Sequence, residues 1–68
     1  MKPFELRLAQ EHARLALHCK NLAHFIADGT RSSRLDEEHK ELLKEQLAVM
    51  GKYLSILERR MALLNIPI

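Results

Sequence analysis

The second half of the chain carries an apolar repeat that restricts its fold more than any other feature. Seven residues recur at alternating spacings of four and three: Leu43, Leu47, Met50, Leu54, Leu57, Met61 and Leu64. Such a heptad repeat places its side chains on one face of an α-helix. The first half has a comparable stripe, formed by Phe4, Leu8, His12, Leu15, Cys19, Leu22 and Ile26. The chain is therefore predicted to be all-α.

Local signals at the ends of these stripes predict where the helices begin and end. Pro3 suits a first helical turn, where its missing N–H costs no hydrogen bond. Gly29 suits the left-handed residue that follows a helix. The capping residue of the second helix is Asp36, or Ser33 with Asp36 three residues on. The segment Asn65-Ile66-Pro67 ends that helix.

These signals predict a single domain over residues 1–68, with helices at about 3–28 and 35–64 and a loop at 29–34. So short a loop makes two long helices run antiparallel. The predicted fold is therefore an antiparallel two-helix hairpin. Gly51 lies inside the second helix, where it either permits a close backbone approach or is simply tolerated.

One hairpin leaves apolar surface uncovered. Beside its main stripe, the first helix has a second stripe of mostly small residues: Leu6, Ala9, Ala13, Ala16, Ala23 and Ala27. Cys19 is the only cysteine, so no disulfide within the chain stabilises a domain this small. We therefore expect a homo-oligomer, a homodimer or larger, in which hairpins complete a helical bundle.

Charge and hydropathy limit the classes of partner. Eleven Lys and Arg against nine Asp and Glu give a net charge of +2, which lacks the dense basic face of a nucleic-acid-binding domain. The start, Met1 to Arg7, is too charged for a signal peptide or membrane anchor. No run approaches the ~18 apolar residues of a spanning helix. These features predict a cytoplasmic protein without a membrane or nucleic-acid partner.

The sequence contains no recognisable catalytic or metal-binding motif. His18 adjoins Cys19, but neighbours in a helix point about 100° apart and do not form a nucleophile–base pair. His12, His18 and His24 recur every six residues, whereas metal-ligand pairs on one helix need separations of three or four. We expect no enzymatic activity, no metal site within one chain and no cofactor.

A polar stripe on the second helix is the best candidate for a ligand site. Gln46, Tyr53 and Arg60 lie seven residues apart and share one face beside the apolar repeat. In the antiparallel hairpin, we expect Tyr53 level with residues 9–14 and Arg60 level with residues 3–7. Polar groups on this stripe are therefore predicted to border the core.

Two arginines of the first helix complete this candidate site. Arginine binds phosphate through two parallel hydrogen bonds, and a tyrosine ring stacks on a base. The predicted ligand residues are Tyr53, Arg60, Arg7, Arg14 and Gln46. The structural alternative is that Arg60 extends along the bundle edge while Tyr53 packs at its rim. An alternative ligand cluster near the loop consists of Arg31, Arg34 and His24.

Residues 35–61 resemble a known group of proteins. The group shows the pattern E-x-x-L-L-x-x-Q-L-x-x-M-x-x-Y-L-x-x-L-x-x-R, which residues 42–60 match after its first position, and Leu22-Ala23-His24-Phe25-Ile26 supplies the L-x-x-F-I element that precedes it. The combination resembles very small phage-encoded hairpin proteins, known mainly as relatives of a crAss-like phage protein. His39 and Gly51 stand where acidic or helix-favouring residues are more usual, and neither disturbs the core repeat.

The resemblance implies a non-enzymatic phage protein made early in infection. Small oligomeric helical proteins of phages include sponges, which sequester cyclic nucleotide signals of defence systems such as CBASS and Thoeris. By this analogy, the chain is expected to hold a cyclic nucleotide or a cyclic ADP-ribose-type ligand at a subunit interface. Two alternatives stay open: an oligomeric adaptor or inhibitor that binds a host protein through an apolar helix face, and a purely structural bundle.

Overall fold

The computed structural model describes residues 2–68, whose regular structure is entirely helical. Helix α1 spans Pro3–Ala27, α2 spans Gly29–Ser32 and α3 spans Glu37–Leu63, and no strand occurs in the described residues. The predicted all-α class is confirmed. Met1, which belongs to the predicted domain, lies outside the described residues. None of the helices in residues 2–68 is both long enough and apolar enough to cross a membrane.

The connection between the long helices differs from the prediction. Asp28 ends α1 in an extended conformation, and its carboxylate accepts the backbone N–H groups of Thr30 and Arg31 at 3.1 and 3.4 Å. This capping starts a new helical turn, α2, within the predicted loop 29–34. Gly29 is the first residue of that turn and does not have a positive φ, so the left-handed role predicted for it is wrong.

Helix α3 begins and ends through hydrogen bonds to its terminal backbone groups. The carboxylate of Asp36 accepts the N–H of His39 at 2.7 Å, and α3 therefore starts after Asp36, two residues later than predicted. At the other end, Asn65 adopts a left-handed φ of 58°. The N–H of Ile66 then donates to the carbonyl of Met61 at 2.9 Å, which closes the helix end.

The core lies where the two long helices and the C-terminal segment meet. Its buried residues are Leu8, Leu15, Leu57, Met61 and Ile66. Cys19 and Met50 pack against this cluster and are partly buried. Ile66 and Met61 are thus joined by packing as well as by the backbone hydrogen bond that ends α3. The core-facing role of the heptad repeat is confirmed most strongly at Leu57, whose surface is 0% exposed.

The contacts between α1 and α3 set the level of each residue along the pair. The Nε2 atom of His12 lies 3.0 Å from the Oε2 atom of Glu58. Nearer the connection, Ile26 and Leu43 line one small hollow. Glu58 therefore lies beside His12. The predicted register placed Glu58 about one turn or more nearer the N-terminus of α1. The two differ because α2 and residues 33–36 lengthen the connection. The whole chain is elongated, 45 × 16 × 15 Å.

Candidate functional site

An open groove of about 520 Å³ lies between α1 and α3. Helix α1 supplies six of its lining residues and α3 supplies one. They are Arg7, Gln10, Glu11, Arg14, Leu15, His18 and Tyr53. Three of the five predicted ligand residues, Arg7, Arg14 and Tyr53, therefore line the same groove.

The α1 wall of the groove follows from helical spacing. Arg7, Glu11, Arg14 and His18 are separated by four, three and four residues, so they share one edge of the helix. Each precedes a residue of the core stripe by one position, which turns this edge about 100° away from the core. Gln10, Glu11 and His18 were not predicted as site residues, although this spacing already placed two of them beside the arginines.

The other two predicted ligand residues lie outside the groove lining. Gln46 is exposed and directs its amide toward the sulfur of Met50, 3.8 Å away on the next turn. Arg60 is exposed in the last turn of α3. Arg60 and Gln46 stay on the same face of α3 as Tyr53, but the structure does not join them to the arginines of α1.

The groove has an excess of positive charge. No carboxylate within the described residues lies within 4.0 Å of the guanidinium of Arg7 or Arg14, although Glu11 stands between them on the helix edge. The ion-pair ladder that their spacing allows does not form. Two guanidiniums beside a half-exposed tyrosine ring suit an anionic ligand that carries a flat ring. The geometry is therefore compatible with a nucleotide.

The alternative cluster near the connection is only partly assembled. His24 and Arg31 line a hollow of about 370 Å³ together with Asn21, Phe25 and Asp28. Arg34, the third predicted member, does not line it. The Nε atom of Arg31 lies 3.6 Å from a carboxylate oxygen of Asp28, which partly neutralises its charge. This hollow is therefore a weaker anion site than the groove.

The described residues include no cluster of potential metal ligands. Residues 2–68 contain no group of three or more His, Cys, Asp or Glu side chains that could hold a metal ion. His12 contacts Glu58, His18 lines the groove and His24 lines the second hollow, so the structure separates these three histidines. Cys19 is a free thiol packed against the core.

Comparison with protein families decides the relationship of the chain. A model of the family Sequestin matches residues 2–63, which is nearly the whole sequence. The chain belongs to the Sequestin family. The family name indicates sequestration. This agrees with the general part of the predicted resemblance, which is to phage anti-defence proteins that sequester a signal. The relationship of this Sequestin-family chain to a crAss-like phage protein stays a prediction. Neither the curated proteins nor the solved structures give a match.

Proposed function

We propose that this Sequestin-family protein binds a small anionic cyclic nucleotide and removes it from solution without cleaving it. The proposed setting is the cytoplasm of a phage-infected bacterium, where the ligand is a defence signal of the CBASS or Thoeris kind. The proposed unit is an antiparallel hairpin of α1 and α3 that self-associates. The family membership supports sequestration as the activity.

The observation that carries this proposal is the composition of the groove. Arg7 and Arg14 have no carboxylate partner within 4.0 Å among the described residues, and Tyr53 faces them from α3. Guanidiniums without an internal partner bind phosphate oxygens by charge-assisted hydrogen bonds. Tyr53 offers a ring on which a base can stack. Binding by these groups needs no reacting side chain.

A ligand screen tests the proposal directly. Thermal unfolding is followed with cyclic dinucleotides and with cyclic ADP-ribose isomers, because a ligand that binds only the folded state raises the midpoint. The bound nucleotide is then released by heat and analysed chromatographically. We expect it to be recovered intact, and a linear or hydrolysed product would contradict the non-enzymatic assignment.

Substitution of a groove arginine tests where the nucleotide binds. We expect Arg14→Ala to weaken binding about tenfold to a hundredfold, because a hydrogen bond to a charged group contributes about 1.5–3 kcal/mol. Arg14→Lys should restore only part of this affinity, since an ammonium lacks the planar fork of a guanidinium. Calorimetric titration measures both effects.

The matched control for this substitution is Arg34→Ala, which removes an exposed arginine outside the groove and the second hollow. Its affinity should equal that of the wild type. Tyr53→Phe should retain more affinity than Tyr53→Ala if the ring stacks on a base. Unchanged affinity in both Arg14→Ala and Tyr53→Ala would exclude the groove and direct attention to Arg31 and His24.

The alternative function is binding of a host protein through an apolar helix face. Its supporting observation is the large exposure of four apolar side chains of α3, Leu42, Val49, Ile56 and Leu63. A protein-binding module keeps this face uncovered in its own free state, whereas a self-associating sponge covers it. The solution mass of the free protein therefore distinguishes the two functions.

A further inference from the structure

A second heptad stripe on α3 has no partner in the single chain. We call it the outer stripe, and its residues are Leu42, Gln46, Val49, Tyr53, Ile56, Arg60 and Leu63. Its residues have the same spacings of four and three as the core-facing repeat, and each precedes a residue of that repeat by one position. Every residue of the outer stripe is exposed. Val49 is 64% exposed and Leu63 is 84% exposed. A helix with two adjacent heptad faces usually packs against two neighbouring helices.

The chain exposes more surface than a compact monomer of its mass, and the excess is close to the area that one partner covers. A compact monomer of 7.9 kDa exposes about 4,400 Å², whereas this chain exposes 5328 Å². The excess of roughly 900 Å² is close to the ~800 Å² that each partner buries in a stable protein interface. Its radius of gyration, 14.8 Å, likewise exceeds the value of about 11 Å for a compact chain of this length.

We infer that the outer stripe is covered by the outer stripe of a second copy, with the two α3 helices antiparallel, and that this pairing completes the ligand groove. Charge decides the direction. A parallel pair would oppose Arg60 to Arg60, a like-charge contact in the interface. An antiparallel pair instead places the polar positions of the stripe opposite apolar positions of the second copy.

Overlap of the stripe and its flanking charges together select one antiparallel register. Pairings centred on Gly51, or half a heptad beyond it, each align six of the seven stripe positions, whereas a centre half a heptad before Gly51 aligns only four. Centring on Gly51 brings Glu45 of each copy near the partner's Arg59, which gives two attractive pairs against one repulsive contact between the two Lys52 side chains. The centre half a heptad beyond Gly51 instead brings Lys52 of each copy near the partner's Arg59, which is repulsive. Flanking pairs of opposite charge stabilise a coiled coil, and like pairs oppose it. The favoured register sets Tyr53 beside the partner's Val49.

Tyr53 connects this interface to the groove. It belongs to the outer stripe and is also the α3 residue that lines the groove opposite Arg7 and Arg14. A second copy on the outer stripe therefore adds a further wall to the open side of the groove. By symmetry, the partner's arginines lie on the same side of the assembly. This part of the inference rests on the proposed function, whereas the pairing of the helices does not.

The solution mass of two charge variants tests the interface without any ligand. Ile56→Glu places a carboxylate in the outer stripe, and Leu17→Glu is its matched control, because Ile56 and Leu17 are 54% and 56% exposed on different helices. We expect light scattering to give twice 7.9 kDa for the wild type and Leu17→Glu, and 7.9 kDa for Ile56→Glu. Circular dichroism checks folding. A wild type of 7.9 kDa at micromolar concentration, or a folded dimeric Ile56→Glu, would overturn the interface.

Cross-linking tests the direction and register with the stripe intact. In a Cys19→Ala background, Lys52→Cys lies beside its own symmetry mate in the register centred on Gly51. A short bismaleimide should therefore join two copies of Lys52→Cys. Arg59→Cys is the control, since residues 59 of the two copies lie about 24 Å apart along the helix axis in that register. Efficient joining of Arg59→Cys, or none of Lys52→Cys, would overturn it.

Nucleotide binding by the same variants tests the shared groove separately from the pairing of the helices. With cyclic di-AMP and cyclic ADP-ribose as probes, Ile56→Glu should lose affinity about tenfold or more, and Leu17→Glu should lose none. A monomeric Ile56→Glu with unchanged affinity would overturn the shared groove while the proposed function stands. A dimeric wild type that binds no cyclic nucleotide would refute the proposed function and leave the helix pairing supported.

Discussion

His12 illustrates how one polar residue is accommodated within an apolar stripe. Its side chain is 13% exposed, and its Nε2 atom lies 3.0 Å from a carboxylate oxygen of Glu58 on α3. The carboxylate keeps part of its hydration, because the side chain of Glu58 is 42% exposed. The pair therefore links the two helices while leaving one partner accessible to water.

We expect His12→Ala to lower the free energy of unfolding by about 1 kcal/mol, the usual net contribution of one hydrogen bond. The loss should stay small because water can still hydrate Glu58. Urea unfolding at matched protein concentration measures it, with Glu58→Ala as the partner variant. If the double variant is destabilised by the full sum of the two single losses, the side chains do not interact.

The helix ends show how single side chains define whole elements. Asp28 both ends α1 and caps α2, and Asp36 caps α3. Gly51 is the only glycine within α3, and it has no side chain to restrict the backbone. A Cβ atom added there meets no other atom within 4 Å. The glycine is therefore not needed for the close approach of another part of the same chain.

Gly51→Ala should therefore stabilise the protein by about 1 kcal/mol, since glycine is the less favourable residue in a helix interior by that amount. Its φ is not positive, so alanine introduces no backbone strain. Thermal unfolding by circular dichroism measures the change, and the mass of the assembly serves as the control. A lowered midpoint would indicate that another copy of the chain approaches the backbone at this position.

The whole molecule has a core too small to tolerate much loss. Five residues form the buried cluster among those described, and Leu57 is the most deeply buried. A chain of 68 residues has a total stability of only about 3–10 kcal/mol. One core side chain is therefore a large fraction of the stability of the molecule.

Leu57→Ala should cost about 2–5 kcal/mol, the range for truncating a buried leucine, and should leave the protein largely unfolded at physiological temperature. Leu17→Ala, an exposed leucine on α1, should change stability little. Helical circular dichroism as a function of temperature compares the two. Equal midpoints would mean that the contact between α1 and α3 contributes little to the fold.

The candidate site was predictable from sequence only in part. The arginines and Tyr53 were found because each is a ligand-type residue beside an apolar stripe. Arg60 shares the stripe of Tyr53 and was expected beside the same arginines, but it does not line the groove. Glu11 was not predicted as a site residue, and His18 was discussed only for pairing with Cys19 and for metal binding, although their spacing from Arg7 already placed both on the groove edge.

The sequence by itself determined the two long helices and the core-facing side of α3. Helical hydrogen bonds are local, and the heptad repeat marks one face along the whole length of the helix. The level at which α1 meets α3 was decided only by the tertiary structure. It depends on the path of the connection, where Asp28 caps an additional turn within residues 29–32. That path determines which arginines stand opposite Tyr53, because a shift of a few residues moves each side chain by a full helical turn.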